Sequence, residues 1–323
     1  MQDGAIVELA GQSGAGKSTL LSNFAFNAIS INNKKVACLD AEKGFKKDIL
    51  DNTGLQRYKE SSEFLHLVTL TYAEVDDALE SLVSKNSGYD IILLDSMAAI
   101  SPTKTLSKSV EEVEIGLNAR IQSQFLKRWI PRLYREGKTF IFVNQFRKHI
   151  GMGFGESTED DSYGAQALQY ACDARLILEK GPKLARVENT GAKGLEVVTY
   201  GNLARLWAKK YRGGRGFIKV PCPIVFGKGV SNPYYYYILL SNNGYLTQEK
   251  RTMSINIPEL SHIRAVVALS TYGGELPMVQ AIAQNKDLVR DFLQSKGHFN
   301  LINENGTENT QELELEFNDD EEV

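Results

Sequence analysis

A glycine-rich run close to the start of the chain has the residue types and spacing of a phosphate-binding loop. Its glycines let backbone N–H groups close around phosphates, its lysine can reach the β- and γ-phosphates, and the first hydroxyl after the lysine can bind Mg²⁺. The first eight residues of this run, Gly11–Ser18, fit the pattern G-x-x-x-x-G-K-[ST]. The alternative is an ordinary glycine-rich turn. We predict that ATP and Mg²⁺ bind at this run, which consists of Gly11, Gln12, Ser13, Gly14, Ala15, Gly16, Lys17, Ser18 and Thr19.

Two carboxylates that follow apolar runs could complete this chemistry. Asp95 ends the run Ile91–Asp95, and a carboxylate after such a strand is expected beside the Mg²⁺ ion, with Ser18 as the second metal residue. Glu42 follows another apolar run, at the sheet edge where ligands bind, and could orient water for attack on the γ-phosphate. The alternatives are a structural strand end for Asp95 and a capping residue of the turn Lys46–Asp51 for Glu42.

The first half of the chain alternates short apolar runs with amphipathic stretches, which predicts a parallel sheet covered by helices. The predicted fold class is therefore α/β, a P-loop ATPase core with a mostly parallel central sheet flanked by helices. The predicted helices are 16–29, 72–84 and 112–135, the last with a kink or an early end near Trp129 because Pro131 lacks a backbone donor. The predicted strands are 5–9, 35–40, 64–69, 90–95, 139–144, 174–179, 195–200, 203–211 and 217–226.

Composition divides the chain into three parts. We predict a core over 1–232, a small C-terminal α+β domain over 233–302, and a disordered acidic tail over 303–323. The tail holds nine acidic residues and no Lys or Arg, and it contains too little apolar surface to fold. The run Tyr234–Tyr237 is predicted to be a strand with aromatic side chains on both faces; a role in base stacking is the alternative.

Bulk properties exclude several classes of protein. The chain has 323 residues, 42% hydrophobic and 24% charged, with a net charge of −3. No apolar run approaches the roughly 20 residues that a membrane-spanning helix needs, so we expect a cytoplasmic protein with no membrane partner. Its three cysteines stand far apart, which argues against a disulfide framework or a cysteine-rich zinc site.

One segment resembles a known family. Phe142–Gly155, with the sequence FVNQFRKHIGMGFG, is similar to the segment that enters the second DNA-binding loop of bacterial and phage RecA-type recombinases. The resemblance extends from about Ala5 to Val230 and implies a RecA-like ATPase core that uses ATP and Mg²⁺. It makes Glu42 the catalytic glutamate and Gln145 the glutamine that senses the γ-phosphate; a purely structural glutamine is the alternative.

The resemblance also assigns residues to DNA contacts. Residues 107–114 and 147–163 match the family's two DNA loops. Ile115 and Ile150 match apolar positions that insert between bases in the family. Arg120 and Lys127, seven residues apart on one helix face, match residues that contact the DNA backbone. The alternatives are core residues and ordinary surface charges. The predicted DNA-binding residues are Ile115, Arg120, Lys127, Arg147, Ile150 and Gly164.

Two cations near the end of a predicted strand match a different family feature. Lys210 and Arg212 match the interface cations that reach the nucleotide of a neighbouring subunit in the manner of arginine fingers. The resemblance therefore implies a homo-oligomer, a filament joined through its ATP interfaces. A plain basic patch for DNA is the alternative. The predicted catalytic residues are Lys17, Glu42, Gln145, Lys210 and Arg212.

The sequence thus predicts an ATP-dependent DNA recombinase with DNA-stimulated ATP hydrolysis, acting on single-stranded and duplex DNA in recombination and repair. A non-filamentous mediator of recombination is the alternative, because only ten residues precede Gly11, where the family has a docking segment. A hexameric helicase with the same core is less favoured, because the Asn144–Gly155 segment resembles the recombinase loop.

Overall fold

The structure is a computed structural model that describes residues 4–101, 117–145, 170–189, 195–213, 218–267 and 273–298. The strands are β1 (Ile6–Gly11), β2 (Val36–Asp40), β3 (Phe64–Val68), β4 (Ile91–Asp95), β5 (Thr139–Gln145), β6 (Ala174–Glu179), β7 (Lys183–Asn189), β8 (Leu195–Tyr211), β9 (Ile218–Val225), β10 (Gly229–Val230), β11 (Leu246–Glu249), β12 (Thr252–Ile255) and β13 (Arg264–Val266). The α-helices are α1 (Lys17–Ser30), α2 (Lys47–Thr53), α3 (Gln56–Glu60), α4 (Tyr72–Val83), α5 (Leu117–Arg135), α6 (Asn232–Asn242), α7 (Leu276–Gln284) and α8 (Lys286–Ser295).

A large sheet forms the centre of the fold, in the order β10-β9-β8-β6-β1-β5-β4-β2-β3, with β7 paired to β8. Every pairing among β1 to β6 is parallel, and β8 is antiparallel to β6. All residues of β1, β2 and β4 are buried, which explains their continuous apolar sequences. The predicted α/β class with a mostly parallel central sheet is confirmed.

The register of the sheet brings the chemically important residues to one edge. Gly11 lies opposite Gln145 across β1 and β5, and Asp40 lies opposite Asp95 across β2 and β4. These positions are at the carboxyl ends of parallel strands, where open α/β sheets bind ligands. The strand order therefore collects residues that are more than one hundred positions apart in the sequence.

Helix α5 covers the sheet and continues through Pro131 to Arg135, so the early end predicted near Trp129 is wrong. Pro131 lies on the exposed side of the helix, whereas the side chains of Trp129 and Leu133 are fully buried. Burial of that face outweighs the hydrogen bond that proline removes, because tertiary packing supplies most of the stability of a helix in a folded protein.

Two other predictions of secondary structure are corrected. Residues 195–200 and 203–211 form one continuous strand, β8, rather than two. The run Tyr234–Tyr237 lies in α6 and not in a strand. Ser231 caps this helix by accepting a hydrogen bond from the Tyr234 N–H at 3.4 Å, and a proline occupies its first turn. These start signals outweigh the strand propensity of tyrosine.

The described residues divide into two compact units. The first comprises residues up to Pro182 together with Ala204–Ile218 and Ile224–Val230. The second comprises Lys183–Leu203, Lys219–Pro223 and the described residues from Ser231 onward. It contains the antiparallel sheet β11-β12-β13 and a core of its own that includes Leu240, Met278 and Leu293. The division predicted from composition stays a prediction, and the tail over 303–323 lies outside the described residues.

All three cysteines are reduced and buried. Burial raises the pKa of the Cys38 and Cys172 thiols and raises that of Cys222 to about 11, so each behaves as a small core residue. Across the described residues, none of the helices combines the length and the apolar character needed to cross a membrane.

Candidate functional site

The phosphate-binding run lies between β1 and α1, which is the context that the motif requires. Gly14 and Gly16 have φ angles of 72° and 101°, in the left-handed region that favours glycine. A Cβ atom on Gly11 would stand 2.4 Å from the carbonyl oxygen of Leu178 in the neighbouring strand β6. The backbone path of this loop therefore depends on glycine at these three positions.

The ammonium group of Lys17 lies against the first two residues of the loop. Its side chain is buried, and Nζ donates hydrogen bonds to the carbonyl oxygens of Gly11 at 3.0 Å and Gln12 at 2.8 Å. Burial lowers the pKa of Lys17, while the charges of Glu42 and Asp95 act in the opposite direction. The result is a fixed cation held among carboxylates and carbonyls, suited to a phosphate oxygen.

Asp95 and Ser18 have the features of a divalent-cation site. Both Asp95 carboxylate oxygens are buried, and neither accepts a hydrogen bond within the described part of the chain. A Cβ atom on Gly44 would stand 3.1 Å from both Asp95 Oδ2 and Ser18 Oγ, so the two oxygens share one small space. Carboxylate and hydroxyl oxygens are ligands that Mg²⁺ accepts. The residues present therefore fit a magnesium ion that contacts Ser18 and Asp95.

Burial also raises the pKa of Asp95 to about 6. The nearby Ser18 hydroxyl lowers it somewhat, without the geometry of a hydrogen bond, and the charges of Glu42 and Asp40 raise it further. Burial disfavours the charged form of this carboxylate, and a neighbouring cation would stabilise that form.

Glu42 and Gln145 meet beside the phosphate loop. Gln145 Nε2 donates a hydrogen bond to Glu42 Oε1 at 2.5 Å. The backbone N–H groups of Ala41 and Glu42 both donate to the Asp95 carbonyl oxygen, at 2.6 and 3.0 Å, which ties the loop after β2 to the end of β4. Helix α2 starts after Lys46 without a side-chain cap, so Glu42 is not its capping residue.

The loop that carries Glu42 is held by a contact that the sequence did not indicate. The Asp40 carboxylate accepts hydrogen bonds from the backbone N–H groups of Gly44 at 2.9 Å and Phe45 at 3.0 Å. His66 Nε2 on β3 lies 3.0 Å from Asp40 Oδ2. Burial raises the pKa of Asp40, but the hydrogen bonds from His66, Gly44 and Phe45 lower it more, so Asp40 stays ionised.

A buried ion pair between Glu8 and Arg175 is connected to Gln145 through Asn144. Arg175 Nε donates to Glu8 Oε2 at 2.6 Å, and Asn144 Nδ2 donates to Glu8 Oε1 at 2.9 Å. The Asn144 side-chain oxygen in turn accepts from the backbone N–H of Gln145 at 2.9 Å. These contacts join β6, β1 and β5 through fully or almost fully buried side chains, and they fix the end of β5.

The two predicted interface cations contact the residues that precede β6. Lys210 Nζ donates to the Cys172 carbonyl oxygen at 2.7 Å. Arg212 Nη1 donates to Asp173 Oδ1 at 3.1 Å, and Nη2 donates to the Tyr170 carbonyl oxygen. Their predicted role toward a neighbouring subunit stays a prediction.

Helix α5 presents the predicted DNA-binding cations Arg120 and Lys127, and both are exposed. Arg128, on the same helix, differs because it pairs with Asp76 and Glu80 at 3.1 and 2.9 Å. Neither Arg120 nor Lys127 forms an ion pair with another described residue. Four predicted DNA-binding residues lie outside the described residues: Ile115, Arg147, Ile150 and Gly164.

The raised pKa of Asp95 predicts a pH-dependent stability. The folded chain keeps the carboxyl proton up to about pH 6, whereas the unfolded chain loses it near pH 4. Because the folded state binds more protons in this window, the contribution of Asp95 to stability falls as the pH rises from about 4 to 6. Without nucleotide and Mg²⁺, we expect Asp95→Asn to raise the free energy of unfolding at pH 7.5 by on the order of 2 kcal/mol.

Urea unfolding of the wild type and Asp95→Asn at pH 7.5 and pH 4.5 measures this difference. The gain should shrink at pH 4.5, because this pH lies near the lower end of the window in which the folded and unfolded chains differ in protonation. Asp77→Asn, at an exposed position of α4, is the control and should change little at either pH. An Asp95→Asn protein that is no more stable than the wild type at pH 7.5 would show that burial does not penalise this carboxylate.

Comparison with known proteins agrees with the geometry of the site. A family model described as the RecA N-terminal domain matches residues 1–231. Protein RecA of Porphyromonas gingivalis is 28% identical over 236 residues, which cover 71% of this chain and 62% of that protein. Protein RecA of Chlamydia abortus is 28% identical over 233 residues, which cover 71% of this chain and 61% of that protein. The chain therefore spans about three fifths of the length of these relatives.

A solved structure shares the fold. The crystal structure of the RadB recombinase superposes with a TM-score of 0.50 at 20% identity, over 71% of this chain and 90% of that one. This likeness concerns the fold alone. The family model, in contrast, matches well over half of the chain and includes the phosphate loop, Glu42, Asp95 and Gln145. On that match, the chain belongs to the RecA family.

Proposed function

We propose that this protein is an ATP-dependent DNA recombinase, which binds single-stranded DNA, pairs it with homologous duplex DNA, and hydrolyses ATP faster when DNA is bound. Family membership supports a RecA-like role in recombination. The observation that carries the proposal is the 2.5 Å hydrogen bond from Gln145 to Glu42. Gln145 is the last residue of β5, and the sequence that follows resembles the family's second DNA loop.

In this proposal the residues of the site divide the work. Lys17 binds the β- and γ-phosphate oxygens, and Glu42 orients a water molecule in line with the γ-phosphate and accepts its proton. Ser18 and Asp95 would hold Mg²⁺, which would supply positive charge to offset that of the phosphates. The Gln145 amide donates either to Glu42 or to a phosphate oxygen. Its partner therefore depends on the nucleotide, and this change is passed to the residues that follow β5.

The proposal includes a homo-oligomer joined through ATP interfaces. Lys210 and Arg212 of one copy would contact the phosphates bound by the next copy, where cations stabilise the charge that develops during phosphoryl transfer. ATP hydrolysis would then depend on assembly along the DNA. Single-stranded and duplex DNA are the proposed partners.

A binding experiment tests the link between nucleotide and DNA. The affinity for a fluorescent single-stranded oligonucleotide is measured with a slowly hydrolysed ATP analogue, with ADP and without nucleotide. The wild type should bind most tightly with the analogue, and Gln145→Ala should lose this dependence while it still binds nucleotide. Gln294→Ala, at an exposed position of α8, is the matched control. Equal wild-type affinity in all three conditions contradicts the proposal.

The exposed cations of α5 give a separate prediction. Each contact with a phosphate of single-stranded DNA contributes about 0.7 to the slope of log affinity against log salt. We expect Arg120→Ala/Lys127→Ala to weaken binding to all DNA sequences alike and to reduce this slope by about 1.4. The slope is measured by titration between about 50 and 200 mM salt, a range over which such contacts change the affinity strongly.

Arg128→Ala serves as the control for this prediction, because it removes a cation from the same helix that already pairs with Asp76 and Glu80. It should leave the salt slope unchanged. A double variant whose slope equals that of the wild type would show that Arg120 and Lys127 do not contact DNA phosphates.

A further inference from the structure

Both predicted interface cations contact one short stretch, Tyr170–Asp173. Lys210 Nζ contacts the Cys172 carbonyl oxygen at 2.7 Å, and the backbone N–H of Arg212 donates to the Asp173 carbonyl oxygen at 2.8 Å. The Arg212 side chain then contacts the Asp173 carboxylate and the Tyr170 carbonyl oxygen. In the sequence this stretch follows the segment that resembles the second DNA loop. The end of β8 is therefore bound, by both backbone and side chains, to the residues just after that segment.

The Asp173 carboxylate is itself fixed from two directions. Its Oδ2 atom accepts hydrogen bonds from the Ile6 backbone N–H at 2.8 Å and from the Tyr134 hydroxyl at 2.5 Å. Ile6 begins β1, the strand that leads into the phosphate loop, and Tyr134 lies in the last turn of α5. Burial and the Asp173 carboxylate raise the pKa of Tyr134, so its hydroxyl stays protonated and continues to donate. The other carboxylate oxygen, Oδ1, accepts the hydrogen bond from Arg212.

The Arg212 guanidinium keeps donors for a further partner. Its side chain is 50% exposed, whereas that of Asp173 is 22% exposed. A guanidinium carries five N–H donors, and within the described part of the chain Asp173 and Tyr170 take one each. The remaining donors are enough for bidentate contact with a phosphate group. The contact with Asp173 therefore orients the cation without using up its capacity to bind.

We propose that Asp173 is a positioning residue, which holds the Arg212 guanidinium ready for the phosphates of a nucleotide bound by a neighbouring copy of this chain. This inference rests on the function proposed above. A free arginine side chain samples many rotamers, and it loses this conformational entropy when it binds. If the side chain is already fixed before the neighbouring copy binds, this entropy is not lost in the catalytic step. The carboxylate also links Arg212 to α5 through Tyr134, and so to the helix that carries Arg120 and Lys127.

The test uses the full-length chain and its ATPase rate on single-stranded DNA. Asp173→Ala should lower kcat of the DNA-stimulated reaction by roughly 10- to 100-fold, with little change in KM for ATP. Tyr134→Phe, which removes one donor to Asp173 Oδ2, should cause a smaller fall. Asp77→Ala, at an exposed position of α4, is the control and should retain the wild-type rate.

A double-mutant cycle separates positioning from a general structural effect. If Asp173 acts through Arg212, then Asp173→Ala should cause no further loss of kcat in an Arg212→Ala background. Losses that multiply in the double variant overturn the inference. So does an Asp173→Ala protein that keeps or exceeds the wild-type rate, because the carboxylate would then be neutral or a restraint on the cation.

Misfolding and failure of the proposed function are recognised separately. Asp173→Asn keeps the shape of the side chain but removes its charge. It should lower kcat by less than Asp173→Ala does, with an unfolding temperature close to that of the wild type. A kcat loss that follows only the unfolding temperature across these variants overturns the inference. A wild type whose ATPase does not respond to DNA contradicts the proposed function and overturns this inference with it. A responsive wild type with an equally responsive Asp173→Ala overturns the inference alone.

Discussion

Lys17→Ala should lower the rate of ATP hydrolysis by roughly 10³-fold, which corresponds to about 4 kcal/mol of transition-state stabilisation. The ammonium is the cation that the phosphate loop itself supplies, and its contacts with the Gly11 and Gln12 carbonyl oxygens fix it at the loop mouth. Alanine leaves the backbone cradle in place but removes the positive charge from the β- and γ-phosphates. Stimulation by single-stranded DNA should disappear together with the basal rate.

Phosphate release is measured with and without single-stranded DNA for the wild type, Lys17→Ala and Lys59→Ala. Lys59 is exposed on the short helix α3, so its removal should leave both rates unchanged. Circular dichroism establishes that Lys17→Ala is folded. A folded Lys17→Ala protein that hydrolyses ATP at a rate near that of the wild type would show that this loop is not the catalytic nucleotide site.

Arg175→Ala should lower the free energy of unfolding by about 3–5 kcal/mol. The variant leaves Glu8 at the centre of the sheet without its cation, and Glu8 is fully buried. A carboxylate in such a place cannot be hydrated, and the hydrogen bond from Asn144 does not offset its charge. Because Asn144 also accepts from the Gln145 backbone N–H, the end of β5 should lose order as well.

Urea unfolding of Arg175→Ala is compared with that of Arg290→Ala. Arg290 pairs with Asp287 and Asp291 at 2.8 and 2.9 Å, but on an exposed helix surface, where such a pair contributes below about 1 kcal/mol. Replacement of both members of the buried pair, Glu8→Gln/Arg175→Met, should cost less than Arg175→Ala alone, since no buried charge is left unpaired. Equal losses in Arg175→Ala and Arg290→Ala would contradict this account.

The sequence predicted the central sheet well because each buried strand is a local pattern. The apolar runs that end at Asp40 and Asp95 need no knowledge of their neighbours to be recognised. The errors arose where the local pattern and the tertiary environment disagree. Propensity favoured a strand for the tyrosine run, but the Ser231 cap and the proline after it begin α6, and burial of Trp129 keeps α5 intact through Pro131.

The candidate site was predictable to the extent that its residues lie in motifs. The phosphate loop was predicted from the spacing of its residues, the two carboxylates from the apolar runs that they follow, and Gln145 from a family resemblance. His66, Asp173 and Arg175 were not found. Each acts through a partner that is distant in the sequence, and only the strand order and register bring such pairs together. His66 contacts Asp40 because β3 lies beside β2, and no pattern within either strand indicates this.

Because its three thiols are buried, the wild-type chain should react only slowly with thiol-specific labels. Reagents that attack thiolates need both access and a low pKa, and Cys38, Cys172 and Cys222 offer neither. A single cysteine introduced on the surface could therefore carry a fluorophore or spin label selectively. Because Cys38 lies in β2, Cys172 just before β6 and Cys222 in β9, the slow modification of each native thiol would time the opening of a different part of the fold.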